Sequence, residues 1–210
     1  MKKNKEYIYI VLVKALTTLG KFARTFSNYE YTHIAVCLNN KLDDFITFSR
    51  HKHYSPFDSG FMHETLDCYA FGNNDKVKLK IFKIPVDNKK EIEDYINKIE
   101  SDNEYIFNIY SMATMPILHG FRIYKALNCM SFVSKIIELS NTVSLNKKYY
   151  KYNIKELDIL LTNYLYKEEY FYKKKILTKN YMNHVSLITN IKSFLILNGK
   201  LLYRIIFKRG

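Results

Sequence analysis

Cys129 and His33 are the side chains whose types and surroundings best fit covalent chemistry in this sequence. The run CMSFVSKIIEL begins at Cys129, and its apolar residues recur at helical spacing from the cysteine. This predicts a helix whose first turn carries the thiol on the core-facing side. Unpaired backbone N–H groups at a helix start favour thiolate over thiol and can bind a developing oxyanion. The alternative is that Cys129 is only a small buried hydrophobic residue.

His33 lies inside the β-prone apolar segment 31–38. Strand alternation places it on one face with Ala35 and Cys37. Burial of an imidazole costs free energy unless the ring finds a partner, and a thiolate would be such a partner. The alternatives are a histidine of an edge strand that faces water, or a core histidine bonded to a backbone carbonyl.

Spacing indicates which cysteine His33 serves. Cys37 is four residues along the same strand, roughly 13 Å away, whereas a general base needs a reach of roughly 3 Å. Cys68 lacks a helix start that would activate it. We therefore expect Cys129 to be the nucleophile and His33 its base.

A third residue normally orients the imidazole, and the sequence leaves its identity open. A turn at Asn39-Asn40 predicts a hairpin that brings the second strand, with its polar residues, beside His33. The candidates are Thr47, Ser49, Glu64 and His63.

We expect no metal and no organic cofactor. His51 and His53 lie in a basic segment without nearby carboxylates, which favours solvated side chains over a metal site. The sequence contains no glycine-rich phosphate loop. Aromatic and basic residues alternate in segments 149–152 and 170–175, but no nucleic-acid-binding fold is recognisable, so a nucleic-acid partner is not expected.

The hydrophobic pattern predicts an α+β fold, an antiparallel sheet packed against the helix that carries Cys129. Strands are expected at 7–13, 31–38, 44–49, 63–71 and 77–84, with a loop at 51–62. Helices are expected at 15–26, from residue 88, after Cys129 and at 154–165. We expect a catalytic domain over residues 1–175 and a basic amphipathic extension over residues 176–210.

The formal charge of +13 is concentrated toward the C-terminus. Residues 1–139 carry 19 basic against 16 acidic residues, and residues 140–210 carry 14 against 4. Residues 185–209 predict a basic amphipathic helix, broken at Asn198-Gly199, that lies on a membrane surface or packs on the domain. A compositional bias unrelated to any ligand would also explain the charge. Three irregularly spaced cysteines favour a reducing compartment, hence a cytoplasmic protein, peripheral to the membrane if the helix binds there.

The motif YTHIAV at residues 31–36, followed about a hundred residues later by NCMSFV at 128–133, resembles the circularly permuted NlpC-type papain-like group. That group includes the YiiX-like enzymes and relatives of lecithin:retinol acyltransferase. Segment 55–64 is further similar to a small bacterial subgroup. The resemblance covers roughly residues 6 to 170 and implies a cysteine hydrolase or acyltransferase acting on an amide, ester or thioester. A catalytically silent module that docks a lipid or peptide is the alternative.

Overall fold

A computed structural model of the protein describes residues 5–70, 75–173 and 181–208. Its strands are β1 (Glu6–Lys14), β2 (His33–Cys37), β3 (Phe45–Lys52), β4 (Ser55–Glu64), β5 (Lys76–Val86), β6 (Ile106–Phe107), β7 (Ala126–Leu127) and β8 (Leu165–Tyr172). Its helices are α1 (Thr18–Ser27), α2 (Lys89–Ser101), α3 (Ile109–Ala113), α4 (Met115–Leu118), α5 (Cys129–Leu139), α6 (Ile154–Leu160) and α7 (Leu187–Phe207). Short 3-10 helices span Leu66–Tyr69, Tyr149–Lys151 and Thr162–Tyr164.

Six strands form one antiparallel sheet in the order β4-β3-β2-β1-β5-β8. Strands β6 and β7 pair in parallel as a separate two-stranded unit. Helices α2 and α5 pack against the large sheet. The fold is therefore α+β, and this predicted class is confirmed.

Strand β1 lies in the middle of the sheet, between β2 and β5. Ile8, Ile10 and Leu12 join the core on the side of α5, whereas Val11 and Val13 join a second core on the opposite side. Because both faces of β1 are buried, its sequence is a continuous apolar run and does not alternate with polar residues.

Helix α5 covers the first of these cores. Phe132, Val133 and Ile136 are fully buried in the cluster that contains Ile34 and Val36 of β2. Full burial of one such side chain contributes about 1.5–3 kcal/mol, so this apolar stripe anchors the helix on the sheet. The helix predicted after Cys129 is confirmed.

Strand β4 corrects the predicted loop at 51–62. Strand β3 continues to Lys52, the chain turns at residues 53–54, and β4 returns beside it. Pro56 is compatible with this strand because β4 is the outermost strand, where a missing N–H need not serve a neighbour. The strand predicted at 63–71 is also wrong beyond Glu64, where a 3-10 helix, Leu66–Tyr69, follows.

Helix α7 runs without interruption through residues 198 and 199, so the predicted break is wrong. The Asn198 side chain donates to the Phe194 carbonyl at 2.7 Å and accepts from the Tyr110 hydroxyl at 2.6 Å. With both bonds made, the Asn198 side chain does not compete for the backbone hydrogen bonds of α7, and the helix continues.

The C-terminal helix packs on the rest of the fold. The predicted domain boundary between residues 175 and 176 lies outside the described residues. Among the helices of the described ranges, none combines the length and the apolar character that crossing a membrane requires.

Candidate active site

Cys129 is the first residue of α5, and the local sequence places the helix start there. The Asn128 side-chain oxygen accepts a hydrogen bond from the Ser131 N–H at 2.9 Å, and the Ser131 hydroxyl accepts one from the Asn128 N–H at 2.9 Å. This capping box leaves the N–H groups of Cys129 and Met130 without an acceptor inside the helix. The buried thiol therefore lies at the positive end of the helix dipole.

The Asn128 side chain carries a second donor that the cap does not use. Its Nδ2 group is buried and has no hydrogen-bond partner in the part of the chain that the structure describes. An unpaired buried donor is costly, and few occur in folded proteins. This amide is the one side-chain donor of the helix cap that the described residues leave without a partner.

The side chains of His33 and Cys129 interact, since Cys129 is one of the groups that raise the pKa of His33, although almost a hundred residues separate them in the chain. Strand alternation would place His33 on the face of Cys37, opposite α5. His33 is however the first residue of β2, and the only register pair between β2 and β3 as described is Val36 with Ile46. Backbone pairing between β2 and β3 is therefore sparse beside the imidazole.

Glu64, the last residue of β4, provides a carboxylate for the other side of the imidazole. Its Oε2 atom lies 2.7 Å from His33 Nε2. Because Nε2 faces the carboxylate, Nδ1 is the ring nitrogen that is left for the Cys129 sulfur. Enzymes that use a nucleophile, a base and an orienting residue place a thiol, an imidazole and a carboxylate in this order.

These side chains shift one another's pKa values. Burial alone would lower the pKa of His33, but the Glu64 carboxylate and the hydrogen bond with Cys129 raise it to about 10. Burial alone would raise the pKa of Glu64, yet the His33 charge and the donors of His33, Ser49 and Tyr69 lower it. The imidazolium and the carboxylate therefore coexist at neutral pH as a buried ion pair.

Of the candidates for the orienting position, Glu64 contacts His33 directly and Ser49 acts through it. The Ser49 side chain hydrogen-bonds the Glu64 carboxylate, which lowers the pKa of that carboxylate. The serine thus positions Glu64, which is a correction to its expected place beside the imidazole.

Thr47 and His63 do not orient His33. The fully buried Thr47 hydroxyl donates to the Ile34 carbonyl at 2.9 Å and thus bridges β3 to β2. The expectation that Thr47 orients the imidazole is wrong. Its hydroxyl is used in a bond between β3 and β2, where few backbone pairs join the two strands. His63 lies on the surface, with Nδ1 2.8 Å from an Asp44 oxygen.

Cys37 and Cys68 are also buried, in the core on the opposite side of the sheet from α5. The Cys37 thiol donates to the Asn39 carbonyl at 3.3 Å, and burial raises the pKa of that thiol. Cys68 is buried in the 3-10 helix Leu66–Tyr69 and has no α-helix start beneath it. Both environments favour a structural thiol.

Tyr69 is a site residue that the sequence analysis missed. Its hydroxyl donates to Glu64 Oε2 at 2.9 Å, and its ring centroid lies 5.6 Å from that of His33. The predicted strand at 63–71 would carry Tyr69 about 16 Å beyond Glu64. The 3-10 helix instead folds the tyrosine back onto the carboxylate.

A local signal for this fold-back exists in the sequence. Thr65 occupies the position before the 3-10 helix, and Asp67 lies in its first turn. A threonine followed by an acidic residue is typical of a helical start and not of a strand.

His51, in β3, and His53, in the turn that follows, do not converge on a metal site. His51 Nδ1 lies 2.9 Å from an Asp58 oxygen, and burial together with the nearby Arg50 charge lowers the pKa of His53 to about 4. Within the described ranges, no three histidine, cysteine, aspartate or glutamate side chains are grouped to hold a metal ion.

Comparisons with known proteins matched no family model, no curated protein and no solved structure.

Proposed function

We propose that this protein is a cysteine hydrolase or acyltransferase that cleaves an amide, ester or thioester bond. Cys129 is the nucleophile, His33 the general base and acid, and Glu64 the orienting residue. The observation that carries the proposal is the position of His33, which lies 2.7 Å from the buried Glu64 carboxylate and whose pKa is raised by both Glu64 and Cys129.

The chemistry follows from the proton positions. The His33 imidazolium already holds the proton of the Cys129 thiol, so the sulfur reacts as a thiolate and forms a bond to the carbonyl carbon of the substrate. The bond to the leaving amine, alcohol or thiol then breaks, and His33 returns the proton to that group. In a second step His33 deprotonates water or another acceptor, which attacks the thioester and releases the Cys129 thiol.

The oxygen that becomes negative in these steps has donors close by. The N–H groups of Cys129 and Met130 have no acceptor inside α5, and Asn128 Nδ2 has no partner among the described residues. Donors that are fixed before reaction stabilise a developing oxyanion without a further reorganisation cost. This arrangement supports acyl transfer and not another use of the thiol.

We further propose that the fold is of the permuted NlpC-type papain-like kind. In support, the histidine strand precedes the cysteine helix in the chain, and α5 packs on the antiparallel sheet that contains β2. The carboxylate comes from β4, one strand later than the hairpin positions that the sequence favours.

Glu64 also favours an enzyme over a catalytically silent docking module. A hydroxyl beside His33 would be a weak orienting group. A buried carboxylate at 2.7 Å holds the ring in one tautomer and stabilises the imidazolium, and a docking surface needs neither.

Reaction with iodoacetamide tests the proposal, with labelling followed at each cysteine by mass spectrometry. We expect Cys129 to label fastest, because its proton has passed to His33. His33→Ala should slow labelling of Cys129 at least about tenfold. Labelling of Cys37, whose thiol pKa is raised, should be slower, and labelling of Cys37 and Cys68 should not depend on His33.

Two controls keep the test decisive. Cys129→Ser should abolish the fast phase, and circular dichroism should show that His33→Ala remains folded. Equal labelling of all three cysteines in the folded wild-type protein, or a Cys129 rate independent of His33, would contradict the proposal in favour of the silent module.

A further inference from the structure

Helix α7 presents two apolar stripes, and only one of them packs on the protein. The inner stripe holds the fold through buried Leu197 and Leu201, which contact a small core containing Ile106 and Ile123. Arg204 reinforces this side, because its guanidinium donates to three backbone carbonyls, those of Glu104, Tyr124 and Lys125. The helix is therefore firmly positioned along one side.

The outer stripe faces away from the protein. Its members follow one another at helical spacing and are 50% to 80% exposed; they are Ile188, Ile191, Leu195, Leu202 and Ile206. Gly199 occupies the stripe position between Leu195 and Leu202, and a Cβ atom there would meet no atom within 4 Å. The stripe extends along a 21-residue helix, a length of roughly 30 Å.

Further exposed apolar side chains lie on a neighbouring element. Ile117 and Leu118 of α4 are among the exposed large hydrophobic residues, and the adjoining α3 contacts α7 through the bond between Tyr110 and Asn198. Isolated apolar residues on a surface need no explanation, whereas a long continuous stripe marks an interaction surface.

The positive charge around the outer stripe of α7 indicates what kind of partner it binds. Lys192 and Lys200 are exposed on α7, and residues 176–210 contain no acidic residue. A second copy of the chain, itself at a formal charge of +13, would bring lysines against lysines. An anionic lipid surface instead complements both the apolar stripe and the basic flanks.

We propose that α7 lies in the interface of an anionic membrane, with the outer stripe immersed among the acyl chains near the headgroups. The inner stripe and Arg204 hold the domain against the helix, so that the whole protein is carried to the membrane surface. Lys192 and Lys200 contact lipid phosphate or carboxylate groups. The proposal is independent of the chemistry at Cys129.

Cosedimentation of the full chain with vesicles tests the proposal. Vesicles of phosphatidylcholine with about a third phosphatidylserine should bind the protein, and pure phosphatidylcholine should bind it at least about tenfold more weakly. Ile191→Asp should weaken binding to the anionic vesicles at least about tenfold. Lys192→Gln should weaken it about fivefold and reduce its sensitivity to salt.

Matched variants separate docking from folding. Thr189→Asp introduces the same charge on the same helix but away from the outer stripe, and should change binding less than about threefold. Gly199→Leu fills the open position of the stripe and should strengthen binding several-fold. Cys129→Ser should bind like the wild-type protein, which distinguishes this proposal from the proposed enzyme activity.

Several results would overturn the proposal. These are equal binding to both kinds of vesicle, binding that survives Ile191→Asp, and Gly199→Leu that fails to strengthen it. A dimer in sedimentation velocity that Ile191→Asp dissociates, together with no vesicle binding, would show that the stripe joins two copies of the chain.

Discussion

The side chains of His33 and Glu64 meet at 2.7 Å, although the two residues belong to strands that are separated by β3. The carboxylate comes from an edge strand and is 2% exposed, so the pair is shielded from solvent. Charge–charge interaction is stronger in such surroundings than in water, which explains why the pKa of His33 rises despite its burial. The pair thus sets the protonation state of the base before any substrate binds.

Glu64→Gln should lower the pKa of His33 from about 10 toward its ordinary value of 6.5. Glutamine can still accept a hydrogen bond from Nε2, but it removes the negative charge that favours the imidazolium. An NMR titration of the His33 ring, assigned by its loss in His33→Ala, measures the shift. A ring that titrates at the same pH in both proteins would contradict the predicted coupling.

The same pair should make stability depend on pH. The contribution of His33 is fully present below pH 6.5 and is lost as pH rises through about 10, because the folded pKa is raised. The contribution of Glu64 is present above pH 4.5 and is lost as pH falls, because its folded pKa is lowered. The free energy of unfolding lost in Glu64→Gln should therefore be largest between about pH 4.5 and 6.5, as measured by urea denaturation.

Above pH 10 the difference in unfolding free energy between wild type and Glu64→Gln should shrink. A difference that stays constant across this range would indicate a packing defect in the variant.

Tyr69→Phe should reduce stability by about 1.5–3 kcal/mol, because it removes a hydrogen bond to a buried carboxylate while it preserves the ring beside His33. The pKa of His33 should stay raised in this variant, unlike in Glu64→Gln, since the carboxylate charge remains. Urea denaturation and the His33 titration provide the two measurements. A variant as stable as wild type would show that the hydroxyl does not hold Glu64.

Thr47→Val should mainly reduce stability, whereas Ser49→Ala should mainly slow alkylation of Cys129. Thr47→Val leaves the Ile34 carbonyl without its donor and should cost about 1–3 kcal/mol of stability, with little effect on the rate of Cys129 alkylation per folded molecule. Ser49→Ala removes a donor to Glu64 and should slow alkylation with a smaller loss of stability. If Thr47→Val slowed alkylation of Cys129 and Ser49→Ala did not, the result would show that Thr47 supports His33.

Asn128→Ala should destabilise the protein by about 1–2 kcal/mol, because the helix cap is lost. Asn128→Ser keeps a capping oxygen and should recover part of that loss while still lacking the Nδ2 donor. If Nδ2 binds the oxyanion, both variants should be slow in acyl transfer to Cys129 from an activated ester. Full activity in Asn128→Ser would assign the oxyanion to the backbone N–H groups alone.

The sequence by itself determined the elements whose signals are local. Helical spacing from Cys129 located the start of α5, and the β-prone run around His33 located β2. The basic, apolar C-terminal segment predicted an amphipathic helix, and α7 occupies it without the expected break.

Tertiary structure decided which side chains meet. Glu64 could not be ranked above Thr47 or Ser49, because the course of the chain between β3 and β4 depends on pairing along a complete hairpin. Tyr69 reaches the carboxylate only because a 3-10 turn shortens the chain after Glu64. Periodicity reports which face of an element is apolar, whereas contacts between distant segments arise from packing, which no short window of sequence encodes.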